Sequence, residues 1–294
     1  MSARRPERPP GEHEVRGRAF RDDPEAAEDD GVAGAVGTGT GPLPHEAPER
    51  RLRWPKLVIT PLVLGAALGA TYLWISNADL DSIAHNALAG DTVQLRFWQS
   101  VKLTAYSTFW VLIIAIPVGI ALTRRQLRKA TPFVTALANI GQATPAIGLL
   151  ALLVIWLGIG PRTAIIGMVA YAVLPVLSNT MAGLRSIDPT LVESARGIGM
   201  SAVGVLSKVE LPLAVPLILA GVRTALVLNV GTSTLATFGG GGGLGDLITT
   251  GIQTQRMPVL VLGSILTVLL ALAVDWIASV AEQLMRPRGL EVGS

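Results

Sequence analysis

Apolar residues in this chain of 294 residues are gathered into long blocks separated by short polar connections. A block of about 20 apolar residues is long enough to cross the hydrocarbon core of a membrane as a helix. Six blocks of this kind predict spans near residues 57–76, 101–123, 133–157, 163–184, 213–236 and 259–281. Residues 239–258 are too rich in glycine and polar side chains to form a seventh span. The pattern therefore predicts an all-α, polytopic membrane protein with six transmembrane helices.

The polar stretches divide the chain into four parts. Residues 1–53 are rich in Pro, Gly, Glu, Asp and Arg and show no apolar periodicity. Such a stretch cannot build a core, so we expect a disordered tail. The first transmembrane helix is assigned to residues 54–80, and a core of five transmembrane helices is assigned to residues 94–286. Residues 287–294 form a second, short tail.

Charged residues make up only 15% of the chain, and their placement predicts how the helices are oriented. Residues 1–50 carry seven Lys or Arg and eleven Asp or Glu, a net charge of −4, and the rest of the chain carries +7. Lys and Arg concentrate on the cytoplasmic side of membrane proteins. With six spans the basic flanks share one side, at Arg51, Arg53, Lys56, Arg124, Arg125, Arg128, Lys129, Arg185, Arg196, Lys208, Arg286 and Arg288. Both termini and their tails are therefore expected in the cytoplasm, and the basic residues need no nucleic-acid partner.

The connection at residues 188–212, between the fourth and fifth spans, is too long for a tight turn and carries helical signals of its own. Asp188 can cap a first helix and Gly199 interrupts it. Ser201 can cap a second short helix, which we expect to end before Val209. The connection is therefore predicted to be a helix–turn–helix lying in the cytoplasm.

The first of these short helices has an apolar stripe at Leu191, Ala195 and Ile198, which recur at helical spacing. Nothing else in the chain is predicted to cover this stripe. Glu193 lies near the helix start, where the helix dipole stabilises a carboxylate, and Arg196 is placed to pair with it. The connection therefore has the features of a docking surface for another protein.

The same connection resembles the "EAA" loop of the permease subunits of ABC importers. The family pattern is Glu-Ala-Ala, three residues, Gly, nine residues, and then Ile-x-Leu-Pro. The residues that match it at the same spacing are Glu193, Ser194, Ala195, Gly199, Val209, Leu211 and Pro212. Ser194 replaces the first Ala and Val209 replaces the Ile, and both changes are mild.

The resemblance implies a MetI-like type I permease fold and a set of partners. In that family the loop enters a cleft on a separate ATP-binding subunit and transmits its ATP-driven closure to the membrane helices. A second permease copy or a homologous permease, an external solute-binding protein and the lipid bilayer are the other implied partners. The phosphate-binding pattern G-x-x-x-x-G-K-[ST] is absent from the sequence, so the ATPase is expected on another chain. We expect no catalytic residue, cofactor or metal site here.

Within this family the chain most resembles permeases for osmoprotectants such as glycine betaine, carnitine and choline, from about residue 97 to about residue 285. The resemblance rests on residues 142–160, 171–180 and 231–246, which are similar to the group's segments QTIPSLALL…LGIG, YALLPILRNT and GTATLAAFIGAGGLGD. Ser178 stands where the group often has Arg. Quaternary ammonium groups are best bound by aromatic cages, and the chain is only 5% aromatic. Selectivity is therefore assigned to the external solute-binding protein.

Polar side chains within the spans are candidates for lining the translocation path, because polar groups are costly in lipid. They are Asn139, Ser178, Asn179, Asn229, Thr232 and Ser233. The alternative interpretation is that they form hydrogen bonds between neighbouring helices.

Arg223 and Asp275 are the two charged residues that lie well inside their spans. These two spans run antiparallel, and both residues fall at a similar depth on the cytoplasmic side. We therefore expect a structural Arg223–Asp275 ion pair. The alternative is that Arg223 extends to the membrane interface.

Three other functions remain open from the sequence. The first is an importer of the same class for an amino acid or another small polar solute. The second is a secondary transporter or channel, which would need ion-coupling carboxylates or a filter motif at membrane depth. The third is a membrane-anchored scaffold, against which six spans interrupted by proline are evidence.

Overall fold

The computed structural model describes residues 54–78 and 80–285, and the tails expected at 1–53 and 287–294 lie outside this part of the chain. The described residues are helical throughout, and we number their α-helices in chain order. They are α1 Trp54–Ser76, α2 Ser82–Ala87, α3 Gly90–Thr123, α4 Thr131–Ala143, α5 Ala146–Leu157, α6 Pro161–Arg185, α7 Pro189–Gly197, α8 Ala202–Val205, α9 Leu211–Leu235, α10 Leu244–Gln253 and α11 Met257–Met285.

Five helical runs among the described residues are long and apolar enough to cross a membrane. They are Val58–Ser76, Gly90–Thr123, Pro161–Arg185, Ala202–Gly239 and Met257–Met285. A bent pair, Arg128–Ala143 with Ala146–Leu157, makes a sixth if it is counted as one span. The prediction of an all-α polytopic membrane protein is confirmed, and the region expected to lack a seventh span holds only the ten-residue helix α10.

The expectation of a continuous third span at residues 133–157 is wrong. Helices α4 and α5 meet at an angle of 100° around Thr144 and Pro145. Pro145 has no N–H to continue the hydrogen-bond ladder, and its ring forces the preceding residue out of the helical region. Thr144 accordingly adopts an extended backbone with φ −71° and ψ 134°. The proline therefore turns the chain sharply where the hydrophobic pattern runs on unbroken.

The centre of the molecule is formed by α3, α6 and α9, which pack closely against one another. Small side chains allow the close approach of α6 and α9. A Cβ atom at Gly221 of α9 would lie 2.7 Å from the Cβ of Asn179 and 2.9 Å from the carbonyl oxygen of Pro175. Only glycine fits at this contact, so Gly221 fixes how closely the two helices approach each other.

The remaining helices surround this centre. Helix α11 packs against α9 and α10, and α1 packs along α11. Helix α4 packs against α6, and α7 and α8 follow the end of α6 and precede α9. The two short helices at residues 189–205 therefore lie at the same end of the bundle as the start of α9.

Candidate functional site

Helix α7 begins at an N-cap formed by Asp188. Its carboxylate accepts a hydrogen bond from the Thr190 backbone N–H at 2.9 Å and another from the Thr190 hydroxyl. Hydrogen bonds from the Thr190 side chain and backbone lower the pKa of Asp188 from its ordinary value of 3.8. Asp188 is therefore charged at neutral pH, at the helix end where the dipole favours negative charge.

Helix α7 ends in a turn that requires glycine. Gly199 has φ +89°, in the left-handed region that side chains with a Cβ avoid. Its N–H donates to the Arg196 carbonyl at 2.9 Å, and the Met200 N–H donates to the Ala195 carbonyl at 3.2 Å. These two bonds form a Schellman motif, which satisfies carbonyls that a helix end leaves unpaired. The glycine of the matched loop pattern therefore has a backbone role.

The second short helix, α8, ends at Val205, before Val209 as expected, but the helical run does not end with it. Ser201 caps α8 by accepting a hydrogen bond from the Gly204 N–H at 3.2 Å. The chain then continues through a π-helical segment, Leu206–Glu210, directly into α9, which holds Leu211 and Pro212 in its first turn. Pro212 has no backbone N–H, so the hydrogen-bond ladder lacks one donor close to where the π-helical segment meets α9. The second short helix and the fifth span are thus one continuous helical run.

The exposed surface of α7 and α8 includes three large apolar side chains. Leu191, Ile198 and Val203 are 51%, 81% and 74% exposed. Ala195 is buried, with only 7% of its surface exposed. The expectation of one uncovered stripe that includes Ala195 is therefore wrong, because α7 packs against α8. Glu193 of α7 is exposed as well. We call the exposed surface of α7 and α8, which includes Leu191, Glu193, Ile198 and Val203, the coupling face.

Glu193, Ser194 and Arg196 are all exposed. Within the described part of the chain no salt bridge joins Glu193 to Arg196, although their spacing allowed one. Both charges are therefore available to a partner molecule. An exposed apolar surface rimmed by charge is the usual character of a protein-binding site.

Arg223 and Asp275 are brought together inside the membrane-spanning bundle. The Arg223 Nε donates to one carboxylate oxygen at 2.5 Å, and its Nη2 donates to the other at 2.7 Å. Glu282, two turns further along α11, places a carboxylate oxygen 3.9 Å from Nη1 of the same arginine. The sequence reasoning did not include Glu282, although its spacing of seven residues from Asp275 puts both on one face of α11.

A second ion pair, with one buried member, was not anticipated from the sequence. Arg124, directly after α3, donates from Nη1 to Glu210 Oε1 at 3.1 Å and from Nη2 to Glu210 Oε2. The Glu210 side chain is only 9% exposed. The two residues are 86 positions apart, and neither lies in a periodic pattern that would have linked them.

The candidate path residues fall into two groups. Asn139 and Ser178 are exposed on α4 and α6. The other four form hydrogen bonds within the protomer. The bonds join Asn179 Nδ2 to the Pro175 carbonyl, Asn229 Nδ2 to Thr108 Oγ1, Thr232 Oγ1 to the Leu228 carbonyl and Ser233 Oγ to the Val230 carbonyl. Asn229 and Ser233 are 0% and 1% exposed. Of these four bonds, that of Asn229 joins two helices, α9 and α3, and the other three each lie within a single helix, so the alternative of bonds between neighbouring helices fits Asn229 alone among the four.

At the other end of α3, a polar cluster fixes the glycine-rich segment that precedes α10. Gln99 and Ser100 accept hydrogen bonds from the Gly243 and Leu244 N–H groups at 3.0 and 2.8 Å. Asp246 pairs with Arg96 at 2.5 Å. These contacts anchor the segment firmly to the membrane helices.

Known proteins provide a comparison for this arrangement. The profile of the family described as "Binding-protein-dependent transport system inner membrane component" matches residues 115–287. The chain is 39% identical to the glycine betaine/carnitine/choline transport system permease protein OpuCB of Bacillus subtilis, over 61% of this chain and 82% of that protein. It is 35% identical to the choline transport system permease protein OpuBB of the same organism, over 69% and 92%. It is 40% identical to the osmoprotectant import permease protein OsmY of Salmonella typhimurium, over 58% and 72%.

Solved structures agree with this assignment. The inward-facing MetNI methionine ABC transporter contains a chain with 25% identity and a TM-score of 0.59, matched over 66% of this chain and 96% of that one. An amino acid ABC transporter crystallised with histidines matches at a TM-score of 0.57 and 14% identity, over 70% and 100%, and shares the fold. Because the matched profile covers more than half of its residues, the chain belongs to the family of binding-protein-dependent transport system inner membrane components, the multi-pass permeases of ABC importers.

Proposed function

We propose that this chain is the permease of an ATP-driven importer for osmoprotectants such as glycine betaine, carnitine or choline. The observation that carries the ATP-driven part is the continuous run from α8 through the π-helical segment into α9. A protein that moves the coupling face moves a membrane helix directly, with no flexible linker between them. The substrate class is supported by the names of the relatives, which share 34–40% identity with the chain.

The coupling face is proposed to dock into a separate ATP-binding subunit. Leu191, Ile198 and Val203 would supply the apolar contact, since burying exposed apolar surface is the main driving force of association. Glu193 would pair with a basic group of that subunit, which the free carboxylate allows. ATP-driven movement of the subunit would then be applied to α7 and passed to α9, so the chain itself needs no ATPase.

The coupling face and both chain termini are proposed to lie in the cytoplasm. The supporting observation is the concentration of Lys and Arg in the connections on that side, which the positive-inside rule assigns to the cytoplasm. The polar cluster at Gln99 and Asp246 would then lie on the outer side. There an external solute-binding protein would deliver the substrate to the permease.

Asn139 and Ser178 are proposed to face the translocation path. This chain would form the path together with a second permease copy or a homologous permease. The exposure of the two side chains supports this role, because a polar side chain facing lipid is costly and one facing a water-filled path is not. With few aromatic residues available, the path would bind a quaternary ammonium group only weakly. Weak binding suits a permease that receives its substrate from a selective binding protein.

The proposal is tested by reconstituting the full chain in liposomes with its ATP-binding subunit and binding protein. We expect ATP-dependent uptake of labelled glycine betaine, carnitine or choline, and no comparable uptake of methionine or histidine. Uptake of the amino acids alone would replace the osmoprotectant assignment with the amino acid alternative. Uptake driven by an ion gradient without ATP would overturn the importer mechanism.

A variant pair tests the coupling face in the same assay. Glu193→Lys should abolish binding of the ATP-binding subunit and with it ATP-driven uptake. Asp91→Lys, an equal charge change at an exposed position at the far end of α3, should leave both intact. Equal effects of the two variants would show that the charge change, rather than the coupling face, is responsible.

A further inference from the structure

We propose that Arg124 and Glu210 form a clamp that passes movement of the coupling face to α3 and α4 as well as to α9. The proposal rests on the proposed function of α7 and α8 as the docking site of an ATP-binding subunit. It assigns a positioning role in coupling to two residues outside the coupling face. It predicts that breaking the clamp separates ATP hydrolysis from transport.

The clamp is a two-pronged ion pair with one buried member. Both terminal nitrogens of Arg124 donate to the two carboxylate oxygens of Glu210, the geometry that fixes orientation as well as distance. The Glu210 side chain is 9% exposed and that of Arg124 is 35% exposed. Because a buried carboxylate without a partner is strongly destabilising, the two residues are held together as long as Glu210 stays buried.

Glu210 lies where α8 connects to the membrane helix α9. It is the last residue of the π-helical segment, and Leu211 begins α9 directly after it. A π-helical segment is uncommon and is often found at functional sites. A contact at this position holds the run at the point where force from α7 and α8 enters the membrane helix.

Arg124 occupies the corresponding junction on the other side. It is the C-cap of α3, where the backbone turns to an extended conformation with φ −76° and ψ 144°. A few residues later, Thr131 at the start of α4 donates its hydroxyl to the Leu122 carbonyl of α3 at 3.1 Å. Arg124 therefore lies where the ends of α3 and α4 are already joined, so a pull on its side chain acts on both helices.

The other basic residues of this connection do not make the same contact. Arg125, Arg128 and Lys129 are exposed, and no salt bridge of theirs is found in the part of the chain described here. Arg124 is therefore distinguished from its neighbour Arg125 by geometry and not by charge. This difference provides a matched control.

The test uses the full complex in liposomes and measures the number of substrate molecules imported per ATP hydrolysed. Arg124→Gln and Glu210→Gln should still bind the ATP-binding subunit and hydrolyse ATP, with the transport ratio reduced at least tenfold. The double variant Arg124→Glu, Glu210→Arg should recover much of the ratio. Arg125→Gln should behave as the unchanged protein. A clamp that only stabilises the fold would lower hydrolysis and uptake together and leave their ratio unchanged, which would overturn the proposal.

Arg124→Lys guards against the case in which the glutamine variants fail to assemble. Lysine keeps the charge that Glu210 requires but cannot supply the two-pronged contact, so we expect an assembled complex with an intermediate ratio. An unchanged ratio in Arg124→Lys would also refute the two-pronged clamp. The proposed function is judged separately, because it fails if the unchanged protein itself shows no ATP-driven uptake.

Discussion

The turn at Gly199 offers a sharp test of how the coupling face is built. Its φ of +89° places it in the left-handed region, and a Cβ built there meets nothing within 4 Å. Substitution by alanine therefore introduces backbone strain without a steric clash. The left-handed conformation costs a residue with a Cβ about 1–2 kcal/mol. This strain destabilises the turn that holds α7 against α8.

The strain should measurably lower the population of the folded turn at Gly199. A cost of about 1–2 kcal/mol lowers the population of the turn relative to its opened form by roughly 5- to 30-fold. In Gly199→Ala we expect faster hydrogen exchange of the Met200 amide, which donates across the turn, by up to this factor. Binding of the ATP-binding subunit should weaken by no more than the same factor, since the partner has to restore the turn.

Two further variants separate strain from added bulk. Gly197→Ala adds the same methyl group two residues earlier, within the helix and again with nothing within 4 Å, so exchange at Met200 should be unchanged or slower. Gly199→Asn adds a larger side chain that tolerates the left-handed region, and it should be less harmful than Gly199→Ala. If asparagine proves worse than alanine, or if the two alanine variants behave alike, backbone strain is not the cause.

Three other expectations follow from contacts described above. Gly221→Ala should lower the unfolding midpoint of the purified protein in detergent, because overpacking costs about 1–3 kcal/mol, whereas Gly231→Ala on the same helix, with open space around its Cβ, should not. Asp275→Asn replaces the charged acceptor of Arg223 and should cost about 1.5–3 kcal/mol in the same unfolding assay, so an unchanged midpoint would count against a stabilising pair. The lowered pKa of Asp188 means that its capping contribution to stability is fully present above pH 3.8 and is lost as the pH falls through the lowered value. A ¹³C NMR titration of the Asp188 carboxyl group should therefore have a midpoint below 3.8. A midpoint at or above 3.8 would contradict this prediction.

Features that depend on neighbouring residues could be predicted from the sequence. The cap at Asp188, the break at Gly199 and the cap at Ser201 each follow from the preference of one residue for one backbone position, and all three are present. Membrane spans could be predicted in the same way, because the length of an apolar block is enough to identify a span. The contact between Arg223 and Asp275 was expected from depth alone, since charges inside lipid need partners.

Features that depend on the surrounding structure were missed. The clamp joins Arg124 to Glu210 across 86 residues, and no spacing rule connects them. The π-helical segment at residues 206–210 has an ordinary helical sequence, so nothing in the sequence indicated that the helical run continues from α8 into α9. The bend at Pro145 had a visible cause, but hydrophobicity continues through it, and the uninterrupted apolar pattern concealed a change of direction of 100°.

The continuous run from α8 to α9 has a consequence for where docking takes place. It extends from Ala202 to Leu235, which at about 1.5 Å per residue gives a length of roughly 50 Å. A bilayer is about 30 Å thick across its hydrocarbon core and about 40–45 Å thick with its headgroups. If it stood upright and centred on the core, a helix of this length would extend a few ångströms beyond the headgroups at each end, and α7 lies at one of these ends. Under the proposed function, an ATP-binding subunit would therefore meet α7 and α8 at the edge of the headgroups rather than within the hydrocarbon core.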